Sequence, residues 1–115
     1  VKASTLKKIV AISSSNGTIT GELPNPWPGA MFYRMSKAAL NREMQIVASS
    51  VRADGVTVVI LNPGPTLTEH QEFLRGNPIM LEMSFTVKNM INTIAKTTLP
   101  DTGQFWRYDG VPEKW

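Results

Sequence analysis

The run Val56-Thr57-Val58-Val59-Ile60-Leu61 constrains the fold of this 115-residue chain more than any other segment does. Its residues are almost continuously apolar and mostly β-branched, which favours a strand over a helix. A strand that is apolar on both faces has to be covered on both faces, as it is in a parallel sheet flanked by helices. Asn62-Pro63-Gly64 ends the run abruptly. The segment therefore predicts a strand of a parallel sheet in an α/β domain.

The segments on either side predict an alternation of strands and helices. Residues 8–13 and 104–108 have the composition of short strands, and residues 15–30 hold too many prolines and glycines for anything but a loop. Apolar side chains recur every three or four residues in 31–53 and in 84–97, which predicts two helices. This order of elements predicts a parallel sheet with crossover helices. The second helix is expected to bury one apolar side, formed by Phe85, Val87, Met90, Ile91, Ile94 and Ala95.

Composition and charge exclude several classes of protein. Hydrophobic residues make up 42% of the chain, as in globular domains, and no apolar stretch approaches the length of a membrane-spanning helix. The chain has no cysteine, which excludes disulfides and thiolate metal sites, and we expect a cytoplasmic protein without a metal centre. The twelve basic residues are scattered, whereas a nucleic-acid surface concentrates them. We therefore expect neither a nucleic acid nor a membrane as partner.

Tyr33 and Lys37 form the core of a candidate catalytic site. Residues four apart share one face of a helix, so the phenol and the ammonium would point the same way. A nearby ammonium stabilises phenolate and lowers the pKa of the phenol, which lets a tyrosine donate or accept a proton near neutral pH. Ser14 follows the first strand, at the edge where open α/β sheets bind ligands, and its hydroxyl could hold the same substrate oxygen. The plain alternative is a solvent-exposed pair, because this spacing is common on helices.

Several motifs in the same order resemble the C-terminal half of the short-chain dehydrogenase/reductase family. Ile12-Ser13-Ser14-Ser15-Asn16-Gly17 is similar to the family's strand-end serine motif, and residues 33–39 are similar to its Tyr-x-x-x-Lys helix. Asn62-Pro63-Gly64-Pro65-Thr66-Leu67-Thr68 is similar to its Pro-Gly cofactor loop, and residues 103–110 to its last strand and turn. Arg34 and the long loop before Tyr33 look most like the C-factor and sniffer-type carbonyl reductase branch.

The resemblance implies a partial Rossmann-like three-layer sandwich and hydride transfer between NAD or NADP and a carbonyl or alcohol. Tyr33 would be the general acid in reduction and the base in oxidation. Lys37 would lower the pKa of Tyr33 and bind the nicotinamide ribose, and Ser14, or else Ser15, would hold the substrate oxygen. Residues 69–83 would form a variable substrate loop, in which we expect His70 to be passive. The implied cofactor contacts are Tyr33, Lys37, Pro63, Gly64, Thr66 and Thr68.

The family's glycine-rich cofactor turn has no counterpart in this sequence. Gly17-Thr18-Ile19-Thr20-Gly21 leads into a proline-rich loop and offers no helix N-terminus to a pyrophosphate. We therefore expect residues 1–115 to be the C-terminal portion of the domain, without the N-terminal dinucleotide-binding half, and to bind no cofactor alone. Val1 in place of a methionine leads us to expect an internal cut or a processed end.

Three functions remain open at this point. The chain is a truncated oxidoreductase, a non-catalytic interaction or signalling protein derived from the same fold, or a half that becomes active beside a separate N-terminal chain. A three-stranded half-fold would leave a sheet edge and apolar helix surface uncovered, and such surfaces favour association. We therefore expect a homo-oligomer or pairing with a complementing half.

Overall fold

Three parallel strands form one sheet in the order β1-β2-β3. The strands are β1, Lys8–Ile12, β2, Thr57–Asn62, and β3, Phe105–Arg107. The structure is a computed structural model that describes residue 1 and residues 3–20 and 30–115, so most of the loop predicted at 15–30 lies outside the described residues. The parallel α/β sheet predicted from the sequence is confirmed.

The central strand β2 is buried along its whole length. Val58 and Ile60 belong to the core cluster with Ala48 and Phe105. Successive side chains of a strand point to opposite faces, so the equally buried Val59 lies on the other side of the sheet. Both faces of β2 are therefore covered, as its apolar sequence requires.

The first helix, α1, spans Met31–Val51 and runs on into a 3₁₀ turn at Arg52–Asp54. It packs on the core through Ala48, with Met44, Val47 and Val51 beside it. Gly55 ends the turn with φ of 71°, a left-handed conformation that glycine adopts at little cost. The helix therefore ends where the sequence predicts.

The second helix, α2, spans Met83–Lys96. The prediction that it buries its apolar side is wrong. Its buried residues are Thr86 and Thr93. The Thr93 hydroxyl donates to the Tyr108 carbonyl at 2.9 Å, and the Thr86 hydroxyl lies 3.2 Å from that of Thr66. Hydroxyls that find partners can be buried, so threonines occupy this contact. Of the residues expected to be buried, only Met90 and Ile94 are half-buried, whereas Phe85, Val87, Ile91 and Ala95 are exposed.

Strand β1 forms an edge of the sheet. Its side chains Val10 and Ile12 are 39% and 45% exposed, although β-branched residues of a parallel strand are ordinarily covered. The described part of the chain thus presents an uncovered apolar strand. None of its helices is long and apolar enough to cross a membrane.

Candidate active site

Strand β1 ends at Ile12, and Ser13 and Ser14 follow it directly. Ser14 caps a 3₁₀ turn at Ser15–Gly17. Its hydroxyl oxygen accepts hydrogen bonds from the Asn16 main-chain N–H at 3.1 Å and from the Asn16 side-chain amide at 3.4 Å. A serine hydroxyl has two acceptor lone pairs and one O–H donor. With both bonds accepted, the geometry leaves the Ser14 O–H available to donate to a ligand oxygen.

Tyr33 and Lys37 lie one turn apart near the start of α1, as predicted. The Lys37 Nζ atom is 5.7 Å from the centroid of the Tyr33 ring, within the range of a cation–π contact. Tyr33 is 47% exposed, so its phenol is open to a ligand. The pair combines an accessible proton donor with a neighbouring positive charge.

Lys37 also joins the helix to the first strand. Its ammonium donates to the Ile12 carbonyl at 2.9 Å. The Ser13 N–H of the same peptide donates to the Leu61 carbonyl of β2 at 2.6 Å. Because the two groups of a trans peptide point in opposite directions, the Ile12 carbonyl faces away from β2, toward the open edge. Lys37 therefore binds a main-chain acceptor that the sheet leaves unpaired on this side.

Gly17 brings the serine turn against α1. A Cβ atom added at Gly17 would lie 2.6 Å from the Lys37 carbonyl carbon and 2.9 Å from the Ala38 nitrogen. Side chains do not tolerate such contacts with main-chain atoms, so only glycine allows the turn and the helix to approach this closely. Gly17 therefore serves the packing of the turn against α1.

A second contact between the serine turn and α1 was missed by sequence reasoning. The Ser13 hydroxyl donates to the Asn41 side-chain oxygen at 2.5 Å, and both residues are buried. Asn41 follows Lys37 by one turn, so it lies on the same face of the helix as Tyr33. Its Nδ2 atom is buried without a partner among the described residues. The only signal in the sequence was the spacing, since Asn41 is four positions after Lys37.

The Pro-Gly loop follows β2 at the same end of the sheet. The Gly64 N–H donates to the Asn62 side-chain oxygen at 3.0 Å, and Gly64 has φ of 71°. A Cβ at Gly64 would lie 3.0 Å from two carbons of the Tyr108 ring. The Thr66 hydroxyl bonds to the Pro63 carbonyl at 3.0 Å. The loop is thus a tight, internally bonded turn.

Two further candidates lie just beyond this turn. The Thr68 hydroxyl is 3.3 Å from the Gln71 side-chain oxygen. His70 lies in a 3₁₀ segment at Glu69–Leu74, and its side chain lies outside the described residues. Among the residues that are described, no group of histidine and carboxylate side chains could hold a metal ion.

The candidate residues differ in exposure. Tyr33 is exposed and Ser14 is buried, whereas Lys37, Pro63, Gly64, Thr66 and Thr68 are half-buried. A groove of about 280 Å³ lies elsewhere, between α2 and the residues around β3, and its lining includes Asn89, Lys96, Asp101, Trp106 and Asp109. None of the candidate catalytic or cofactor residues lines it.

Comparison with known proteins agrees with the motifs. Residues 4–78 match the family model described as short chain dehydrogenase. The C-signal protein of Myxococcus xanthus is 29% identical over 110 residues, which cover 96% of this chain and 62% of that protein.

Solved structures of carbonyl reductases share the fold. The NADPH-bound carbonyl reductase from chicken fatty liver has a TM-score of 0.84 and 28% identity, over 94% of this chain and 42% of that one. The carbonyl reductase Sniffer of D. melanogaster has a TM-score of 0.79 and 30% identity, over 94% of this chain and 41% of that one. The predicted similarity to the C-factor and sniffer-type branch is confirmed, and this chain spans less than two thirds of each of these proteins.

Proposed function

The chain belongs to the short chain dehydrogenase family, and we propose that it supplies the catalytic groups of an NAD(P)-dependent oxidoreductase that interconverts a carbonyl and an alcohol. The observation that carries the proposal is the position of the Lys37 ammonium, 5.7 Å from the Tyr33 ring and 2.9 Å from the Ile12 carbonyl. This contact brings the phenol and ammonium to the strand end that Ser14 follows. We further propose that residues 1–115 correspond to the C-terminal portion of the domain.

The three side chains have distinct roles in reduction. The Ser14 O–H donates to the carbonyl oxygen of the substrate and orients it. Tyr33 gives its phenolic proton to that oxygen as the alcohol forms. The remaining phenolate is stabilised by the Lys37 ammonium, because opposite charges attract strongly where water is excluded. In alcohol oxidation Tyr33 takes the proton back.

The residues present fit the nicotinamide side of a dinucleotide. When bound, the cofactor supplies or accepts the hydride. An ammonium has three N–H donors, and Lys37 uses one for Ile12, which leaves donors for ribose hydroxyls. The turn at Pro63 and Gly64, closed by the bond from Thr66 to the Pro63 carbonyl, would present its main chain to this side of the cofactor. Thr68 extends this side of the proposed cofactor site.

We propose no such fit for the phosphate side of the cofactor. Gly17 is used for close packing against α1, and the sequence has no glycine-rich turn that leads into a helix as the family's does. We therefore propose that residues 1–115 alone bind NADH and NADPH negligibly. A fluorescence titration of the isolated chain should give no saturation in the micromolar range, and micromolar binding would contradict this.

The test of function uses the complete protein, whether or not it extends beyond residues 1–115. We expect a panel of aldehydes and ketones to reveal oxidation of NADH or NADPH, measured by absorbance. Lys37→Met should lower the rate by about 10²-fold or more, the scale of lost proton-transfer assistance. Lys88→Met, at an exposed position of α2, is the matched control and should leave the rate unchanged.

The result of this assay distinguishes an oxidoreductase from a non-catalytic interaction or signalling protein. A folded complete protein that oxidises neither cofactor with any carbonyl substrate would contradict the proposal. The non-catalytic interaction or signalling role would then be favoured, and addition of a separately made N-terminal half would test the complementing role.

A further inference from the structure

Residues Glu113–Trp115 contact two loops of the candidate site. At one end, the Glu113 carboxylate accepts a hydrogen bond from the Asn62 side-chain amide at 2.9 Å. The Asn62 side-chain oxygen in turn accepts from the Gly64 N–H at 3.0 Å. Asn62 is buried, so its amide has few other orientations that satisfy both of its ends. Glu113 therefore fixes the group that holds the Pro-Gly turn.

The other end of this segment holds the chain that follows the serine turn. The Thr18 hydroxyl donates to the Lys114 carbonyl at 3.1 Å. The Thr20 N–H donates to the Trp115 main-chain oxygen at 2.6 Å, and the Thr20 hydroxyl bonds to the same oxygen. Residues 18–20 continue directly from the turn that Ser14 caps.

The segment is itself anchored to the sheet. The Glu113 N–H donates to the Phe105 carbonyl of β3 at 2.9 Å. The Trp115 ring stacks on the Phe105 ring with centroids 5.4 Å apart and an angle of 28° between the planes. Because Phe105 is fully buried in the core, the segment has a rigid base.

We propose that Glu113–Trp115 acts as a strap that holds the serine turn and the Pro-Gly turn in register, with Glu113 as a positioning residue that acts through Asn62. Its importance for catalysis rests on the proposed function, since the strap would align the substrate-holding side with the cofactor side. None of the motifs that carry the family resemblance includes these three residues. The strap holds the two turns whether or not the protein catalyses a reaction.

Amide hydrogen exchange measured by NMR tests the strap without a cofactor. The Gly64 and Thr20 amides report the two ends, and the amide of Val59, in the fully buried strand β2, reports the core. Glu113→Ala should accelerate exchange at Gly64 by about tenfold relative to Val59, the effect of one lost charge-assisted hydrogen bond. Trp115→Ala removes the stacking on Phe105 that anchors the segment, and it should accelerate exchange at both Gly64 and Thr20. Glu113→Gln keeps an acceptor for Asn62 and should largely restore protection. Glu43→Ala, at an exposed position of α1, is the control and should leave both amides unchanged.

Each outcome of the exchange experiment decides the proposal. Acceleration at both ends in Trp115→Ala, and at Gly64 in Glu113→Ala with rescue by glutamine, supports a strap. Acceleration of only one of the two amides in Trp115→Ala, or none beyond that of Val59, would refute it, because the two turns would then be held independently.

A second measurement separates the strap from the proposed function. In the complete protein, Glu113→Ala should raise the dissociation constant of the cofactor that it binds, NADH or NADPH, by about tenfold if the Pro-Gly turn contacts the cofactor. A wild-type complete protein that binds neither NADH nor NADPH would refute the proposed function, and the exchange result would still decide the strap.

Discussion

Each candidate catalytic side chain is restrained by a specific neighbour. Asn16 occupies the acceptor sites of the Ser14 hydroxyl, and the Ile12 carbonyl holds the Lys37 ammonium beside the Tyr33 ring. These restraints use main-chain groups and one neighbouring side chain, so they form as soon as β1 and α1 pack together. The reacting groups are thereby oriented before a ligand arrives, which is how positioned donors stabilise transition states.

Ser14→Ala tests the role of the serine at the residue scale. Removing one donor to a developing oxyanion costs about 10²–10³-fold in rate, so we expect kcat of the complete protein to fall by this factor with a smaller change in KM. Ser50→Ala removes an exposed hydroxyl that donates to the Val47 carbonyl of α1 and serves as control. Comparable kcat values for the two variants would exclude Ser14 from catalysis.

At the scale of elements, the contact between the serine turn and α1 depends on a missing side chain. Gly17→Ala would place a Cβ 2.6 Å from a main-chain carbon that cannot move without shifting the helix. Overpacking of this kind costs about 1–3 kcal/mol, which we expect as a loss in free energy of unfolding measured with urea. Gly76→Ala is the control, since a Cβ there meets nothing within 4 Å and only the positive φ is strained. A smaller loss for Gly17→Ala than for Gly76→Ala would disprove the steric account.

The 3₁₀ turn at Leu99–Asp101, which precedes β3, gives a pH dependence. Hydrogen bonds from the Thr98 N–H and hydroxyl hold the pKa of Asp101 below its ordinary value of 3.8. The folded state therefore favours the carboxylate, and the stabilisation is complete above pH 3.8 and lost as the pH falls through the lower folded value. The difference in free energy of unfolding between wild type and Asp101→Ala should shrink on acidification. A difference that stays constant from about pH 6 to about pH 2 would contradict this.

Whether a helix or strand could be predicted from the sequence depended on whether its cause is local in the chain. The continuous apolar run of β2 predicted a strand, and Gly55 predicted where the first helix ends, each to within a few residues. Both could be predicted because burial and backbone conformation leave a signal in the local sequence. The prediction that α2 buries its apolar side was wrong, because the groups that pair with the Thr86 and Thr93 hydroxyls come from loops distant in the sequence.

Residue-level support for the site was harder to predict than its motifs. The spacing of Tyr33 and Lys37 and the resemblance of the serine motif made Ser14, Tyr33 and Lys37 candidates. The bonds from Ser13 to Asn41 and from Asn62 to Glu113 join residues 28 and 51 positions apart, and no local pattern encodes such pairs.

For the whole molecule, the uncovered surface is the main consequence of the fold. Val10 and Ile12 on the edge strand are exposed, as are Met31, Phe32 and Met35 on α1. The relatives that this chain matches extend well beyond the matched part. We propose that a second copy or a complementing half covers this surface.

Sedimentation of residues 1–115 at micromolar concentration tests association. We expect a dimer or larger assembly, because exposed apolar strands and helix faces gain from burial. Ile12→Lys places a charge on the edge strand and should shift the distribution toward monomer, whereas Ile79→Lys, at an exposed position outside the strands and α1, should not. A stable wild-type monomer would contradict the prediction.

The central claim is that this chain provides the proton-transfer group of a carbonyl–alcohol oxidoreductase, and removal of one oxygen atom tests it most directly. The chain has two tyrosines, so Tyr33→Phe can be compared with Tyr108→Phe, which keeps the ring that packs beside Gly64. In the complete protein, we predict that Tyr33→Phe lowers kcat for carbonyl reduction by about 10²–10⁴-fold and that Tyr108→Phe retains most of it. Substantial surviving activity in Tyr33→Phe would contradict the account.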